Sequence, residues 1–515
     1  MAVALSTILY GLLTLVLISV IAHTAQQILL PNRSRPPTVF SLFPLIGSTV
    51  SYGADPYAFF FACRAKYGDI FTFTLLGMKV TVYLGADGNN FILNGKHRDL
   101  NAEEVYGPLT IPVFGKGVVY DVPNERFMEQ KKFLKEGFTG GRMRKMVPLF
   151  VKETELFLES SPEFRGKTDG GAIDISSVLS EISLYAASGS LQGKEVRALF
   201  DSSFATVYRH LDDGFAPVNF MLPGLPIPIN WRRDRAQKTM QQFYLDIIRK
   251  RREQETEQEN ATKPEHDEEK ADMISALLHA TYKDGTPLSD PELANLMIAL
   301  LMGGQHNTAA SGTWIMLHLA HQPQLIEELY AEQAAVLGPD RVLTFDAIPN
   351  LKLHNNVIKE TLRLHSPIHS IMRKVKRDMP VPGTDTVVPK GHILLSAPGV
   401  PSRQAEFFPD PLKWDPRRWD DPTMLERINA AAASGGASGE GGVASSPYLP
   451  FGAGRHRCVG ETFAYAQLLG IVATLVRRVK WEQVDPDADV PKTDYSSMFS
   501  RPVHPARVMW SWRET

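Results

Sequence analysis

Cysteine is nearly absent from this chain: only Cys63 and Cys458 occur in 515 residues. That excludes a disulfide framework and favours a reducing compartment. An excess of one charge is missing too. The formal net charge of −2 leaves no broad basic surface to neutralise phosphates, so nucleic acid is excluded as a partner. There is no internal repeat and no disorder-type bias, since 43% of residues are hydrophobic and 22% charged, the balance of a globular chain. One long uncharged run lies at the amino terminus. Val3 to Ala22, "VALSTILYGLLTLVLISVIA", carries no charge for about 20 residues, enough to cross a hydrocarbon layer of roughly 30 Å. A cleaved signal peptide is the rival reading. The segment before the run lacks Lys and Arg, however, and the run exceeds the roughly 7 to 15 residues of a signal core. The first charges after it, Arg33 and Arg35, orient the rest of the chain to the cytosolic side. "PNRSRPP" reads as a stiff extended hinge. The expected organisation is an anchor over residues 1–30, a hinge over 31–40 and one body over 41–515.

In the body, Asp69 to Leu84, "DIFTFTLLGMKVTVYL", alternates apolar and polar residues about a Gly-Met turn and predicts a hairpin. Most of Met128 to Gln322 has helical periodicity, broken by the Pro-rich "FAPVNFMLPGLPIPIN" and by the charged tract Lys250 to Lys270. The fold class is mainly α with small β-sheets. The charged tract mixes signs and reads as a solvated loop. Asn260-Ala-Thr262 fits a glycosylation pattern that a cytosolic body does not use. Ala430 to Ser446, rich in Ala, Gly and Ser, reads as a flexible insert. Cys63, in "YAFFFACRAKYG", is a core residue.

Cys458 is different. It lies in "PYLPFGAGRHRCVGE", flanked by Arg455, His456 and Arg457, where an apolar helix begins. Positive charge and a helix N-terminus stabilise an anion, so this cysteine suits a nucleophile or a metal ligand. Zinc needs further Cys or closely spaced His, which the chain does not offer. A lone axial thiolate on haem iron needs none. Gly452 and Gly454 let backbone approach a flat macrocycle, and Phe451 can keep water from the sulfur. A plain surface loop before a helix is the alternative. The Gly-x-Gly here follows no strand and has no acidic partner at the right distance, so it is not a nucleotide motif.

A second stretch carries chemistry. In "SDPELANLMIALLMGGQHNTAASGTWIMLHLA", Ser289 and Glu292 form a capping box, and apolar residues on all sides predict a long helix through the core. Adjacent Gly303 and Gly304 each cost about 1 kcal/mol in a helix interior, which suggests a local opening for ligand. Gln305, His306, Asn307 and Thr308 follow, a polar set suited to proton delivery. A kinked core helix with satisfied polar groups is the plainer alternative. In "NNVIKETLRLHSP", Glu360 and Arg363 share a helix face and predict an ion pair.

"FGAGRHRCVGE" resembles the haem-binding loop of the cytochrome P-450 monooxygenases, F-x-x-G-x-[RH]-x-C-x-G, a highly specific signature. The Glu360/Arg363 pair and a later "WDPRRW" segment with Pro416, Arg418 and Trp419 are similar to that family's buttressing triad. Within the superfamily, "LLMGGQH" and "HSIMRKV" resemble the fungal sterol 14-alpha-demethylases, where His stands at the place of His306; "NAEEVYGPLTIPVFGKGVVYD" resembles their substrate access loop and "LDDGFAPVNF" the segment roofing their pocket. The resemblance covers nearly everything from the hinge to the C-terminus. It implies a P-450 fold after a single transmembrane helix, with haem b held by Cys458 as axial ligand. Tyr120, Lys131, Arg373 and His456 would hold the propionates, with Phe451 and Gly452 beside the cofactor. Tyr106, Thr110, Phe114, Tyr120, Phe215, Gly303, Gly304, Ile368, Ser370 and Met498 would line the sterol cavity or its mouth, and His306, Asn307 and Thr308 would serve catalysis. One departure is Asn307, where the family usually has Thr or Ser. Either Thr308 takes over the relay or the amide orients a water.

The implied activity is removal of the 14-alpha-methyl of a lanosterol-type sterol by three successive oxygenations in ergosterol biosynthesis, a target of azole inhibitors. Dioxygen is the co-substrate, and electrons come from NADPH through a separate NADPH-cytochrome P-450 reductase. Lys132, Lys135, Arg142, Arg144 and Lys145 are a candidate docking face for it. The implied location is the endoplasmic reticulum membrane, single-pass, with the body cytosolic. A haem-thiolate hydroxylase of another lipid or xenobiotic is the first alternative, and a haem or sterol carrier the second.

Overall fold

The structure, a computed structural model, describes residues 2–29, 34–200, 202–259, 272–434, 443–497 and 499–513. Helices dominate, with four small sheets among the described residues, as the sequence periodicity predicts. The contacts divide the chain into two compact units: residues 1–105, 369–411 and 425–456, and residues 106–368, 412–424 and 457–515.

The first unit begins with an uncharged helix, Ala2–Leu29. Among the described residues no helix is long and apolar enough to cross a membrane; side chains 2–9, 12 and 13 of this helix lie outside the described ones. The unit's sheet has five strands in the order Ile70–Leu75, Met78–Tyr83, Ile393–Ser396, Ile371–Val375, Leu100–Asn101. The predicted hairpin is its edge, with Leu75 opposite Met78. The turn is Leu76-Gly77 rather than Gly-Met: both residues have positive φ, 50° and 82°, the backbone a two-residue hairpin loop needs to match strand twist. Tyr83, Ile92, Leu100, Val375, Val381, Val388 and Leu394 fill one core on this sheet. Cys63 is buried, and burial pushes its thiol up to about 11, as suits an inert core residue.

The second unit is built on the helix Asp290–Ala320. Ser289 and Glu292 close the predicted capping box at its start. Its buried residues run from Leu293 to Ala320 on every side, so it needs neighbours all round. These include Ile175–Ala187, Pro228–Glu259, Lys352–Leu364 and Glu461–Arg478. At Gly312 an added Cβ would stand 2.3 Å from Leu179 Cδ1, so glycine allows close approach to the Ile175–Ala187 helix. A three-stranded sheet of Gly171–Asp174, Arg507–Trp512 and Val479–Gln483 completes the unit.

Two expectations are corrected here. The tract from Lys250 begins as helix, because Pro228–Glu259 continues through it. Arg251 is buried against Asp272 at 2.7 Å and Glu195 at 3.1 Å, and Arg252 pairs with Asp290 at 2.8 Å. Tertiary carboxylates recruit these cations out of water. Likewise the helix Pro422–Ser434 takes in Ala430 to Ser434, since an alanine run keeps its helical propensity once a preceding turn nucleates it. The rest of both segments, with Asn260 and Thr262, lies outside the described residues.

The predicted triad is present, with Glu360 and Arg363 buried and Arg418 partly so. Glu360 accepts from Arg363 at 2.9 and 2.8 Å, from Arg418 Nε at 2.8 Å, from the Asp415 N–H at 3.0 Å and from Trp419 Nε1 at 3.1 Å. A carboxylate with this many donors is compensated for its lost hydration, whereas the two guanidiniums depend on it. Glu360→Ala should therefore destabilise the holoprotein by about 3–5 kcal/mol, read from denaturant unfolding, and an effect below about 1 kcal/mol would mean the cations find other partners.

Acid sensitivity follows from buried neutral histidines. His318 lies flat against Trp414 (4.6 Å, 1°) with its Nε2 2.8 Å from His365 Nε2, and burial lowers its pKa to about 3. Burial lowers that of His369 to about 4. The unfolded chain binds these protons near the ordinary value of 6.5, and the native state does not until about pH 3 to 4. The unfolded state then holds more protons, so stability falls as pH drops through that window. Unfolding free energy measured between pH 7 and 4 should decline, and His318→Gln should flatten the decline.

Candidate active site

Cys458 stands just before the helix Glu461–Arg478 and is solvent-accessible. Its sulfur accepts from the Gly460 N–H, and Lys131 and Arg457 add positive potential; burial by the surrounding protein nevertheless dominates and holds the thiol above its ordinary value, with Glu461 adding to the rise. Burial and the cationic neighbours therefore act in opposite directions on this sulfur. Arg457 is spent on Glu461 at 2.6 Å, and Lys131 Nζ donates to the Arg457 carbonyl at 2.8 Å. A metal ion at the sulfur deprotonates a thiol outright. Among the described residues no group of three His, Cys, Asp or Glu could hold an ion, which a lone axial ligand does not require.

The first unit carries the loop ahead of Cys458. Gly452 and Gly454 have φ of 67° and 66°. A Cβ on Gly454 would lie 2.1 Å from the Leu93 carbonyl oxygen, so this glycine serves close approach to protein backbone, where the sequence reading assigned it to a macrocycle. Leu449 and Ala453 pack with Leu93 and Ala444, and Ile371 joins them. His456 ends the short turn Gly454–His456, and Phe451 is half-buried. Arg373 is 4% exposed and donates to the Met372 carbonyl at 2.8 Å, and no ion pair to a carboxylate is found for it among the described residues. A buried guanidinium calls for an anion, and a haem propionate fits that need.

On the central helix the glycines do not break the backbone, which is helical throughout. They differ in role. Gly303 is exposed, with nothing within 4 Å of an added Cβ, whereas Gly304 sits in ordinary contact distance of Leu191, Phe463 and Ala187. An exposed backbone point in a core helix is the access a flat cofactor or its ligand needs. Gln305 donates to the Ser180 carbonyl at 3.2 Å and accepts from Tyr208 Oη at 2.9 Å. Since the Tyr208 proton goes to Gln305, its oxygen accepts from His306 Nε2 at 3.1 Å. The same Nε2 is 3.1 Å from Asp212 Oδ1. Burial lowers the His306 pKa, Asp212 opposes that and Arg501 adds to it; burial also holds the Tyr208 phenol far above its ordinary value. Asn307 Nδ2 donates to the Gly303 carbonyl at 3.3 Å while its Oδ1 is buried without a hydrogen bond. Thr308 turns away, donating to Gln467 Oε1 at 3.0 Å.

Aromatic rings connect the second unit's predicted lining. Tyr106 stacks on Tyr120 (5.4 Å, 27°), Phe114 meets Phe215 edge-on (5.9 Å), Phe215 meets Phe499 (5.6 Å), and Phe499 lies flat on His306 (5.5 Å, 17°). Thr110 Oγ1 is turned back to the Tyr106 carbonyl at 3.0 Å, and Ile368 is exposed. In the first unit Ser370 accepts from Tyr52 Oη at 3.0 Å and bonds His369 Nδ1 at 2.8 Å. Met498 lies outside the described residues. Tyr208, Asp212, Gln467 and Phe499 escaped the sequence reading. The "LDDGF" segment held a signal, because a carboxylate beside a polar break in a core helix is a natural partner for its histidine. Of the candidate docking cations, Arg144 is taken up by Asp346 at 2.8 and 3.0 Å and Arg142 donates to the Asp272 carbonyl.

An exposed cysteine at a helix head and an open point on a buried helix with an acid–histidine pair beside it define a haem-thiolate oxygenase. The chain matches the cytochrome P450 family over residues 36–510, and it belongs to that family. A retinoic acid bound cyanobacterial protein shares the fold, with a TM-score of 0.75 at 20% identity over 94% of this chain and 100% of that one. A sterol 14-alpha demethylase of Gibberella zeae is 56% identical over 97% of this chain and 95% of its own length. An eburicol 14-alpha-demethylase of Uncinula necator is 51% identical over 97% and 94%, and a sterol 14-alpha demethylase of Aspergillus fumigatus 50% over 98% and 96%. Within the family the chain therefore falls among the fungal sterol 14-alpha demethylases.

Arg373 supplies a test of cofactor fit. Replacing a buried charge that lacks a carboxylate with an apolar side chain is neutral or stabilising. Arg373→Met should leave the haem-free protein at least as stable while haem transfers to a scavenger protein about tenfold faster; unchanged haem transfer would remove Arg373 from the cofactor's partners.

Proposed function

We propose that this chain removes the 14-alpha-methyl group of a lanosterol-type sterol through three successive oxygenations, releasing the carbon as formate in ergosterol biosynthesis. The observation that carries the reading is on the central helix: an exposed Gly303 stands three residues before a His306 that is tied to Asp212 and walled by Phe499. Haem b, bound through Cys458, supplies the oxidative chemistry with dioxygen. Electrons arrive from NADPH through a separate reductase. Arg373, Lys131, His456 and Tyr120 hold the propionates as donors, and Phe451 and Gly452 line the cofactor's loop.

The remaining residues bind, exclude water and move protons. Tyr106, Thr110, Phe114, Phe215 and Ile368, with Gly303 and Gly304, would line the sterol site, for which aromatic and aliphatic surface suits an apolar skeleton. The Asp212 side chain is 34% exposed and that of His306 13%, so the carboxylate accepts the Nε2 proton and links it to solvent. Asn307 cannot pass a proton through its amide but can orient a water with its unpaired Oδ1. The Thr308 hydroxyl, committed to Gln467, holds the helix in place and does not join the relay. The uncharged Ala2–Leu29 helix supports anchoring in the endoplasmic reticulum membrane as a single pass, with residues 41–515 in the cytosol.

The test is reconstitution of the full chain with reductase, NADPH and a panel of sterols, with formate as the product measured. Formate from a 14-alpha-methyl sterol is expected, and Cys458→Ala should abolish it together with the thiolate-type carbon monoxide band of the reduced protein. Asp212→Asn should cut formate released per NADPH by about tenfold or more, the scale of a lost acid–base partner. Hydroxylated products without formate would overturn the demethylase reading, and full activity in Cys458→Ala would overturn the thiolate.

A further inference from the structure

We propose that Gln130 is a positioning residue that holds Val119 in a strained left-handed backbone conformation, and thereby sets the neighbouring Tyr120 against Tyr106. The proposal rests on the reading of Tyr120 as a ligand-site residue. Val119 has φ of 54°, a region in which a β-branched side chain is a genuine outlier. Such a conformation persists only where its surroundings over-determine it, and strain of this kind gathers at functional positions.

Gln130 provides that over-determination. It is 1% exposed, and all of its amide is engaged with or around the strained turn. Its Oε1 accepts the Val119 N–H at 3.1 Å, while Nε2 donates to the Gly117 carbonyl at 2.9 Å and to Tyr282 Oη at 3.0 Å. The amide is itself braced: Tyr282 Oη donates to Glu292 at 3.2 Å and the Arg126 guanidinium covers the Tyr282 ring at 3.4 Å. The residues before Val119 are pinned from the same side. Asn295 donates to the Lys116 carbonyl at 2.8 Å, a Cβ on Gly115 would strike Asn295 at 2.4 Å, and Asp121 accepts the Gly117 N–H at 2.8 Å. Glu292 and Asn295 both belong to the first turns of the central helix. The turn carrying Tyr120 is thus referenced to the helix that carries Gly303 and His306. In a turn with ordinary negative φ at Val119 the chain leaves in another direction, and Tyr120 loses its stack on Tyr106 (5.4 Å, 27°).

The experiment uses the full-length holoprotein and measures sterol affinity by spectral titration. Gln130→Leu should weaken sterol binding about tenfold, and its crystal structure should show Val119 at negative φ. In a Val119→Gly background, where left-handed backbone costs nothing, the same Gln130→Leu change should weaken binding by less than about threefold. Gln130→Glu keeps an acceptor for the Val119 N–H, so it should preserve the positive φ even if Gln130→Leu fails to fold. Equal weakening in both backgrounds would overturn the clamp, as would a positive φ at Val119 in Gln130→Leu. So would a Gln130→Leu protein that melts earlier but binds sterol as before while Tyr120→Phe binds it more weakly, because Gln130 would then be structural only. If instead φ changes as expected and Tyr120→Phe leaves sterol affinity unaltered, the clamp stands and the assignment of Tyr120 to the ligand site fails.

Discussion

A helix with most of its 31 residues buried imposes the constraint on which the second unit depends, since every buried polar side chain on it must find a partner inside the protein. Gln305, His306 and Thr308 do so with Ser180 and Tyr208, with Tyr208 and Asp212, and with Gln467. Those bonds tie the Ile175–Ala187, Ser202–Asp212 and Glu461–Arg478 helices to one short stretch. Asn307 alone keeps an unsatisfied buried oxygen, and Gly303 alone in this stretch leaves open backbone. The two departures sit one helical turn apart. Within Gln305 to Thr308 the polar side chains are thus satisfied except at the Asn307 oxygen.

Buried charge follows the same logic with opposite outcomes. Glu360 is surrounded by donors and compensates Arg363 and Arg418 without any external ion, so this cluster is complete as protein. Arg373, also buried, has no ion pair to a carboxylate among the described residues, and a buried guanidinium calls for an anion. The contrast separates a self-contained strut from a candidate cofactor contact by electrostatics, where both would look like an arginine in the interior.

Several features were legible in the chain itself. The Cys458 loop, the Ser289/Glu292 cap, the Glu360/Arg363 pair and the hairpin are local: spacing and residue type decide them within a few positions. Boundaries were less legible. The Lys250 tract looks solvated until Asp272, Glu195 and Asp290 claim its arginines. Gly454 looks like a cofactor glycine until the Leu93 carbonyl is seen against it. At Cys458 the flanking charges favour a thiolate, while burial, which the sequence does not show, acts against them.

By itself the sequence determined the fold class, the candidate cysteine loop and the long central helix, because heteroatom chemistry and helical periodicity are written in short stretches. Only the tertiary structure decided which polar group serves which partner. Asp212 meets His306 and Phe499 covers it across separations of 94 and 193 residues, and Thr308 is withdrawn to Gln467 although it follows Asn307 directly. Gln130 reaches the strained Val119 from a neighbouring helix. Hydrogen bonds and desolvation act over a few ångströms of space regardless of distance along the chain, so these assignments exist only once the helices are packed.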